Sequence, residues 1–190
     1  MNAMIERWTS QTEGQYFERK SAYEQSMGGR PKPRNVKSLA KDVVETLTAM
    51  ANADGGELVI GIEDNGEITG VPHSDDKIAF ITGTLDDTKY VQPPLRARFS
   101  RVTTTDGLLM LLYDVDWSPA VHHLADGRYL RRFRDTILAR HGAGRRFIRW
   151  YYRAGPGLSV VLGGGPVRRS LVRLLLRALI VCLPGTTGHR

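Results

Sequence analysis

The chain of 190 residues is long enough for one domain with a hydrophobic core and a short appendage, but hardly for two independent domains. Its single cysteine, Cys182, excludes an internal disulfide framework and a cysteine-based zinc cluster, so a reducing, cytoplasmic setting is expected. The net charge of +7 is uneven: nine of the 27 Lys and Arg fall in 141–190, which holds no Asp or Glu, leaving the first 140 residues with 18 basic against 20 acidic side chains.

The N-terminus, MNAMIERWTSQTEGQ, has no apolar core of signal-peptide length. No stretch reaches the ~20 apolar residues of a membrane span, so neither export nor an integral membrane segment is expected. Tyr16 to Ser21 reads as a short strand on which Glu18 and Lys20, two apart, share a face opposite Phe17. The next segment, GGRPKPRNVK at 28–37, combines Gly, Pro and four basic residues without an acid, and reads as a basic loop.

From Val36, the positions Leu39, Ala40, Val43, Val44, Leu47, Met50 and Ala51 follow the spacing of an amphipathic helix, with Asn35 as N-cap and Gly55-Gly56 beyond its end. Leu58 to Ile62 is a nearly unbroken apolar run, the signature of a strand buried on both faces. Asp64, Asn65 and Gly66 supply a turn from which Glu67 to Val71 returns as a hairpin partner. Asp75 to about Leu85 carries Ile78, Ile81 and Leu85 at helical spacing. Leu95–Thr103 and Leu108–Trp117 form a second predicted hairpin, and Arg128–Phe133 a final strand. A mixed, mostly antiparallel sheet of about six short strands with two main helices has too few crossovers for a doubly wound fold and defines an α+β domain over 1–140.

The remaining 141–190 is a different kind of sequence. Arg169, Arg173 and Arg177 recur every four residues among leucines, the pattern of a cationic amphipathic helix suited to anionic surfaces. The same Arg- and Gly-rich composition also arises in an unselected, out-of-frame or disordered stretch. Two charge constellations in the body suit phosphates: Arg30, Lys32, Arg34 and Lys37 in the basic loop, and Arg128, Arg131 and Arg132 on the last strand. Each has a plain alternative, a solvated loop and a charged edge strand. Adjacent His122 and His123, without a further His or Cys nearby, do not make a zinc site, and GIEDNGEITG lacks the spacing of a nucleotide-binding loop.

Three stretches in this order, EGQYFERK at Glu13–Lys20, AMANADGGELVIGIEDNGEITGV at Ala49–Val71 and DGRYLRR at Asp126–Arg132, resemble the AlbA-like domain of the Schlafen family. The resemblance covers Glu13 to about Ala139 and extends to a bacterial branch described as DNA-binding proteins or transcriptional regulators and to vertebrate Schlafens. It implies binding to DNA or RNA and leaves homodimer formation open. Some relatives cut structured RNA, and their catalytic carboxylates match Glu13, Glu18 and Asp64 here, with Lys20 as the adjacent basic residue. The resemblance then implies Mg²⁺ or Mn²⁺ held by Glu13, Glu18 and Asp64 in a metal-dependent endoribonuclease. Carboxylates are hard ligands suited to such ions, though Glu13 and Glu18, five apart, would face opposite sides of a straight strand unless Gly14 bends the chain. Arg19 stands where many relatives carry Phe, placing an extra charge beside the site.

Overall fold

A four-stranded mixed sheet organises the protein, seen in a computed structural model that describes residues 3–24 and 31–141. In chain order the elements are α1 (Ala3–Ser10), β1 (Phe17–Lys20), β2 (Tyr23–Glu24), β3 (Lys32–Pro33), α2 (Val36–Ala51), β4 (Gly55–Ile60), α3 (Asp75–Gly83), β5 (Val91–Gln92), β6 (Arg98–Thr103), β7 (Leu109–Asp116), β8 (His123–Leu124), β9 (Arg128–Phe133) and β10 (Thr136–His141). The fold is α+β as expected. Arg30 and the tail after His141 lie outside the described residues. Among the described residues no helix is long and apolar enough to cross a membrane.

The sheet runs β1-β4-β7-β6, with β1 parallel to β4 and the other pairs antiparallel. Its period-two alternation sorts the apolar residues onto two layers. Leu58, Ile60, Leu111, Tyr113 and Val115 face α2 and α3 in the larger core, with Leu39, Val43, Leu47 and Met50 from α2. Phe17, Val59 and Met110 face the other way, against Ile5 and Trp8 of α1. The parallel β1–β4 pair exists because α2 crosses over between its two strands. Asn35 starts that helix, its side chain accepting from the Lys37 and Ser38 amides.

Four features depart from the sequence expectations. The expected sheet of about six strands is a four-stranded one, with β2–β3, β5–β8 and β9–β10 pairing separately. Helix α1 is unpredicted, being two turns long with only Ile5 and Trp8 fully buried. The return from the 64–66 turn is no paired strand: it makes a single bridge, Ile62 to Ile68, while the Thr69 and Gly70 amides both donate to the Gly61 carbonyl. Gly66 turns at a φ of 85° beneath α1, where a Cβ would lie 2.4 Å from the Thr9 carbonyl oxygen. Finally β10 extends the hairpin begun by β9 to His141, one residue past the expected domain end.

Asn52 joins the end of α2 to the far side of the chain. Its amide donates to the His122 and Leu130 carbonyls, and its side-chain oxygen accepts the His122 amide. The buried His122 ring must donate from Nδ1 to the Pro93 carbonyl at 2.8 Å, which leaves Nε2 to accept from Ser118 Oγ. Burial holds this imidazole below its ordinary pKa, the Pro93 hydrogen bond only partly opposing that effect. The folded state therefore favours the neutral ring, while the unfolded chain takes up a proton near pH 6.5. Stability from this group is present above about pH 6.5 and is lost as pH falls below it. Urea unfolding between about pH 7.5 and 5 should show that decline, and His122→Gln should remove this part of it.

Candidate functional site: an acidic cleft with a basic rim

The turn after α1 folds back on β1. The Gly14 amide donates to the Phe17 carbonyl at 3.0 Å, and Glu13 Oε1 accepts the Arg19 amide at 2.9 Å. Glu13 thereby joins the side of the strand edge where Glu18 stands. A Cβ at Gly14 would meet nothing within 4 Å, so the bend comes from these hydrogen bonds and not from a need for glycine.

Glu13, Glu18, Lys20 and Asp64, the four residues the resemblance singled out, line one cleft of about 390 Å³ together with Arg19, Ser21, Tyr23, Glu24 and Arg34. Asp64 reaches it from the exposed turn after β4. Arg34 belongs to the basic segment that one reading of the sequence sets beside the Glu18 face, whereas Glu24 was not expected there; the β2–β3 pairing brings both to the cleft, and no local sequence pattern announces a two-residue pairing. Glu63, also unanticipated, braces the cleft from behind by accepting from Ser21 Oγ at 2.5 Å and Thr69 Oγ1 at 2.6 Å.

Glu18 is the most enclosed carboxylate of the cleft. Its Oε1 accepts from Lys20 Nζ at 2.9 Å and its Oε2 from Arg132 Nη2. Arg132 is 1% exposed, and its Nε also donates to the Gly14 and Arg134 carbonyls at 3.0 and 2.8 Å. Gln15 closes the same junction, donating to the Arg132 carbonyl and to Asp54 while accepting the Arg134 amide.

Arg19 lines the cleft, but its guanidinium is engaged on the far side of the strand. Because β1 alternates, its guanidinium crosses to the α1 side and donates to the carbonyls of Trp8, Thr9 and Gln11. It caps the C-terminus of α1, where a cation also meets the negative end of the helix dipole.

The two expected phosphate-binding groups fare differently. Lys32 and Lys37 are exposed, and Arg34 lies between them at the cleft, holding Asp42 at 2.6 Å. The Arg128 to Arg132 strand does not present a stripe. Arg131 and Arg132 are buried, and Arg128 bridges Glu45 and Asp126, carboxylates that hold its guanidinium above its ordinary pKa. The strand sits over the end of α2 instead of at a solvated edge, so its cations turn inward to protein partners.

A divalent ion shared by Glu13, Glu18 and Asp64 needs three converging free oxygens within about 2.0–2.6 Å of one point. Among the described residues no group of three acidic, His or Cys side chains is placed to hold an ion, and both Glu18 oxygens already accept from cations. The three carboxylates line the same cleft.

The fold and the cleft define a small α+β domain that carries its polar site at the edge of a mixed sheet. The chain belongs to the Schlafen AlbA_2 family, whose description, "Schlafen, AlbA_2", matches residues 13–155. In fold it is similar to the DIP2311 protein from Corynebacterium diphtheriae, with a TM-score of 0.51 and 23% identity over 74% of this chain and 24% of that one. It therefore spans about a quarter of the length of that protein. It is also similar to the N-terminal domain of a protein from Nitrosomonas europaea described as related to the ATP-dependent DNA helicase RecG, at 21% identity and a TM-score of 0.42, over 60% of this chain and 71% of that one. No curated protein matches the chain.

If Arg19 serves α1 and not the cleft, Arg19→Met should lower stability by roughly 2 kcal/mol, the scale of losing charge-assisted hydrogen bonds at a helix end. Hydrogen exchange should show faster amides in Ile5 to Ser10 while Leu58 to Ile60 stay protected.

Proposed function

We propose that the domain binds the phosphodiester backbone of DNA or RNA across the cleft, with Lys20 and Arg34 inside it and Lys32 and Lys37 on its rim. One observation carries this reading: the basic segment before and at the start of α2 borders the cleft through Arg34 and is exposed on both sides of that residue. Phosphate contacts of this kind position a nucleic acid without reading its sequence. Binding is therefore nonspecific, and the carboxylates that line the same cleft keep it modest. Arg128, Arg131 and Arg132 are not part of the surface. A place for the domain within a cytoplasmic transcriptional regulator follows from the resemblance and the cysteine content alone.

A second reading, a metal-dependent endoribonuclease, is favoured by the presence of Glu13, Glu18, Asp64 and Lys20 around one cleft. In that reading Glu18 keeps Lys20 and Arg132 as partners and offers the ion the lone pairs those bonds leave open.

The test is nucleic-acid binding by the full chain at several salt concentrations, comparing the wild type with Lys32→Gln/Arg34→Gln/Lys37→Gln. Loss of three phosphate contacts should weaken binding to duplex DNA and reduce the slope of log K against log salt by about 2.7. An unchanged slope removes this rim from the interface. Cleavage of structured RNA in Mg²⁺ or Mn²⁺ that disappears in Asp64→Asn would replace the binding reading with the nuclease.

A further inference from the structure

We infer that the tip of the β9–β10 hairpin, with Phe133 and Arg134, joins Tyr16 in a stacking site for the unpaired bases of a single-stranded nucleic acid. The inference goes beyond the phosphate contacts proposed for the cleft and takes from that reading only the strand's point of entry.

The hairpin tip stores strain where a plain turn would not. Phe133 pairs with Thr136, so the loop between β9 and β10 is only Arg134 and Asp135. Arg134 takes a φ of 58°, at the position where glycine, asparagine or aspartate ordinarily stands in such a loop. That conformation costs an arginine stability, and the surroundings enforce it: the Arg134 amide donates to Gln15 Oε1 at 2.6 Å and its carbonyl accepts from Arg132 Nε at 2.8 Å. What the strained residue presents is a side chain in solvent. Whereas Arg128 bridges Glu45 and Asp126 and Arg132 is buried against Glu18, Arg134 is exposed, with its guanidinium carbon 5.7 Å from the centroid of the Phe133 ring.

Other exposed rings stand beside this one. Phe133 is 54% exposed and Tyr16 57%, and both flank Gln15, which precedes Tyr16 and bonds the Arg132 carbonyl and the Arg134 amide on either side of Phe133. Gln15 also holds Asp54, next to Gly55; Gly55 pairs with Asp116, and the exposed Trp117 follows. A lone exposed ring needs no explanation, but rings gathered round one junction mark a binding surface. Rings and guanidinium planes in solvent are what unpaired bases stack on, with little regard to sequence. Asp54 and Asp135 at this end oppose a phosphate but not the uncharged face of a base. Tyr16 lies four residues before Lys20, about 13 Å at the rise of a β-strand. A single strand whose phosphates meet Lys20 and Arg34 therefore brings its following bases to the rings. A hairpin whose stem fills the cleft keeps its bases paired there and leaves the rings untouched.

The test measures the affinity of the full chain for a short oligothymidylate and for an abasic strand of the same length. The wild type should bind the strand with bases more tightly by roughly five- to a hundredfold, the scale of stacking one base. Phe133→Ser and Tyr16→Ser, both at exposed positions, should reduce that preference with little change in melting temperature. Arg134→Gly suits the left-handed turn, so it should melt no lower than the wild type while binding the oligothymidylate several-fold more weakly. In Lys32→Gln/Arg34→Gln/Lys37→Gln both affinities should fall while their ratio stays, which separates failure of the rim from failure of the stack. Equal wild-type affinities for the two strands, or a preference that survives Phe133→Ser and Tyr16→Ser together, would overturn the inference. So would a dimer in sedimentation that Phe133→Ser converts to monomer with the preference intact, since the rings would then serve a second copy of the chain.

Discussion

The buried contact between Glu18 and Arg132 joins the first strand of the sheet to the hairpin that ends the described chain, across 114 positions of sequence. An ion pair removed from water gains little over an apolar pair of the same shape, but losing either partner leaves a buried charge and costs about 3–5 kcal/mol. Its value here is geometric. β1 is an edge strand of only four residues, held by a single parallel neighbour, and such a strand is weakly specified by its own ladder. Arg132, reaching Glu18, Gly14 and Arg134 at once, supplies the missing specification on the open side, and Gln15 repeats it through backbone groups. The Glu13 turn and Lys20 have their own backbone hydrogen bonds, and Arg132 ties both to the hairpin.

Alternation along β1 then divides the labour between two faces. Glu18 and Lys20 go to the cleft; Phe17 and Arg19 go to α1, where the ring packs with Trp8 and the guanidinium satisfies the helix end. Four consecutive residues thus contain both the cleft's central ion pair and the attachment of the N-terminal helix. A bulky, charged Arg19 is accommodated because its stem remains on the apolar side and its head finds carbonyls. The 64–66 turn depends on the same attachment, since Gly66 lies directly under the Thr9 carbonyl and Asp64 enters the cleft from that turn.

Periodic apolar sequence is the easiest part of this chain to read. The helix from Val36 is legible because it buries a regular face, the strand after Gly55-Gly56 because its apolar run is nearly unbroken, and Glu18 with Lys20 because a strand has period two. Helix α1 is not legible: two turns with Ile5 and Trp8 give too few repeats to separate a helix from a polar N-terminus. The arginines of β9 mislead because charge in sequence suggests water, whereas their burial follows from long-range partners at Glu18, Glu45 and Gly14 that no local window contains. Glu24 is invisible as a cleft residue for a similar reason, a two-residue pairing having no periodicity at all.

The proposed function turns on nucleic acid meeting the domain at the cleft and its basic rim. Amide chemical-shift mapping of the full chain with a short RNA hairpin at low salt addresses that point without any variant. Perturbations should be confined to Lys20, Ser21, Tyr23, Lys32, Arg34, Lys37 and the Asp64 turn. Perturbations confined instead to Arg98–Thr103, at the opposite edge of the sheet, would place the interface elsewhere and remove the cleft from it.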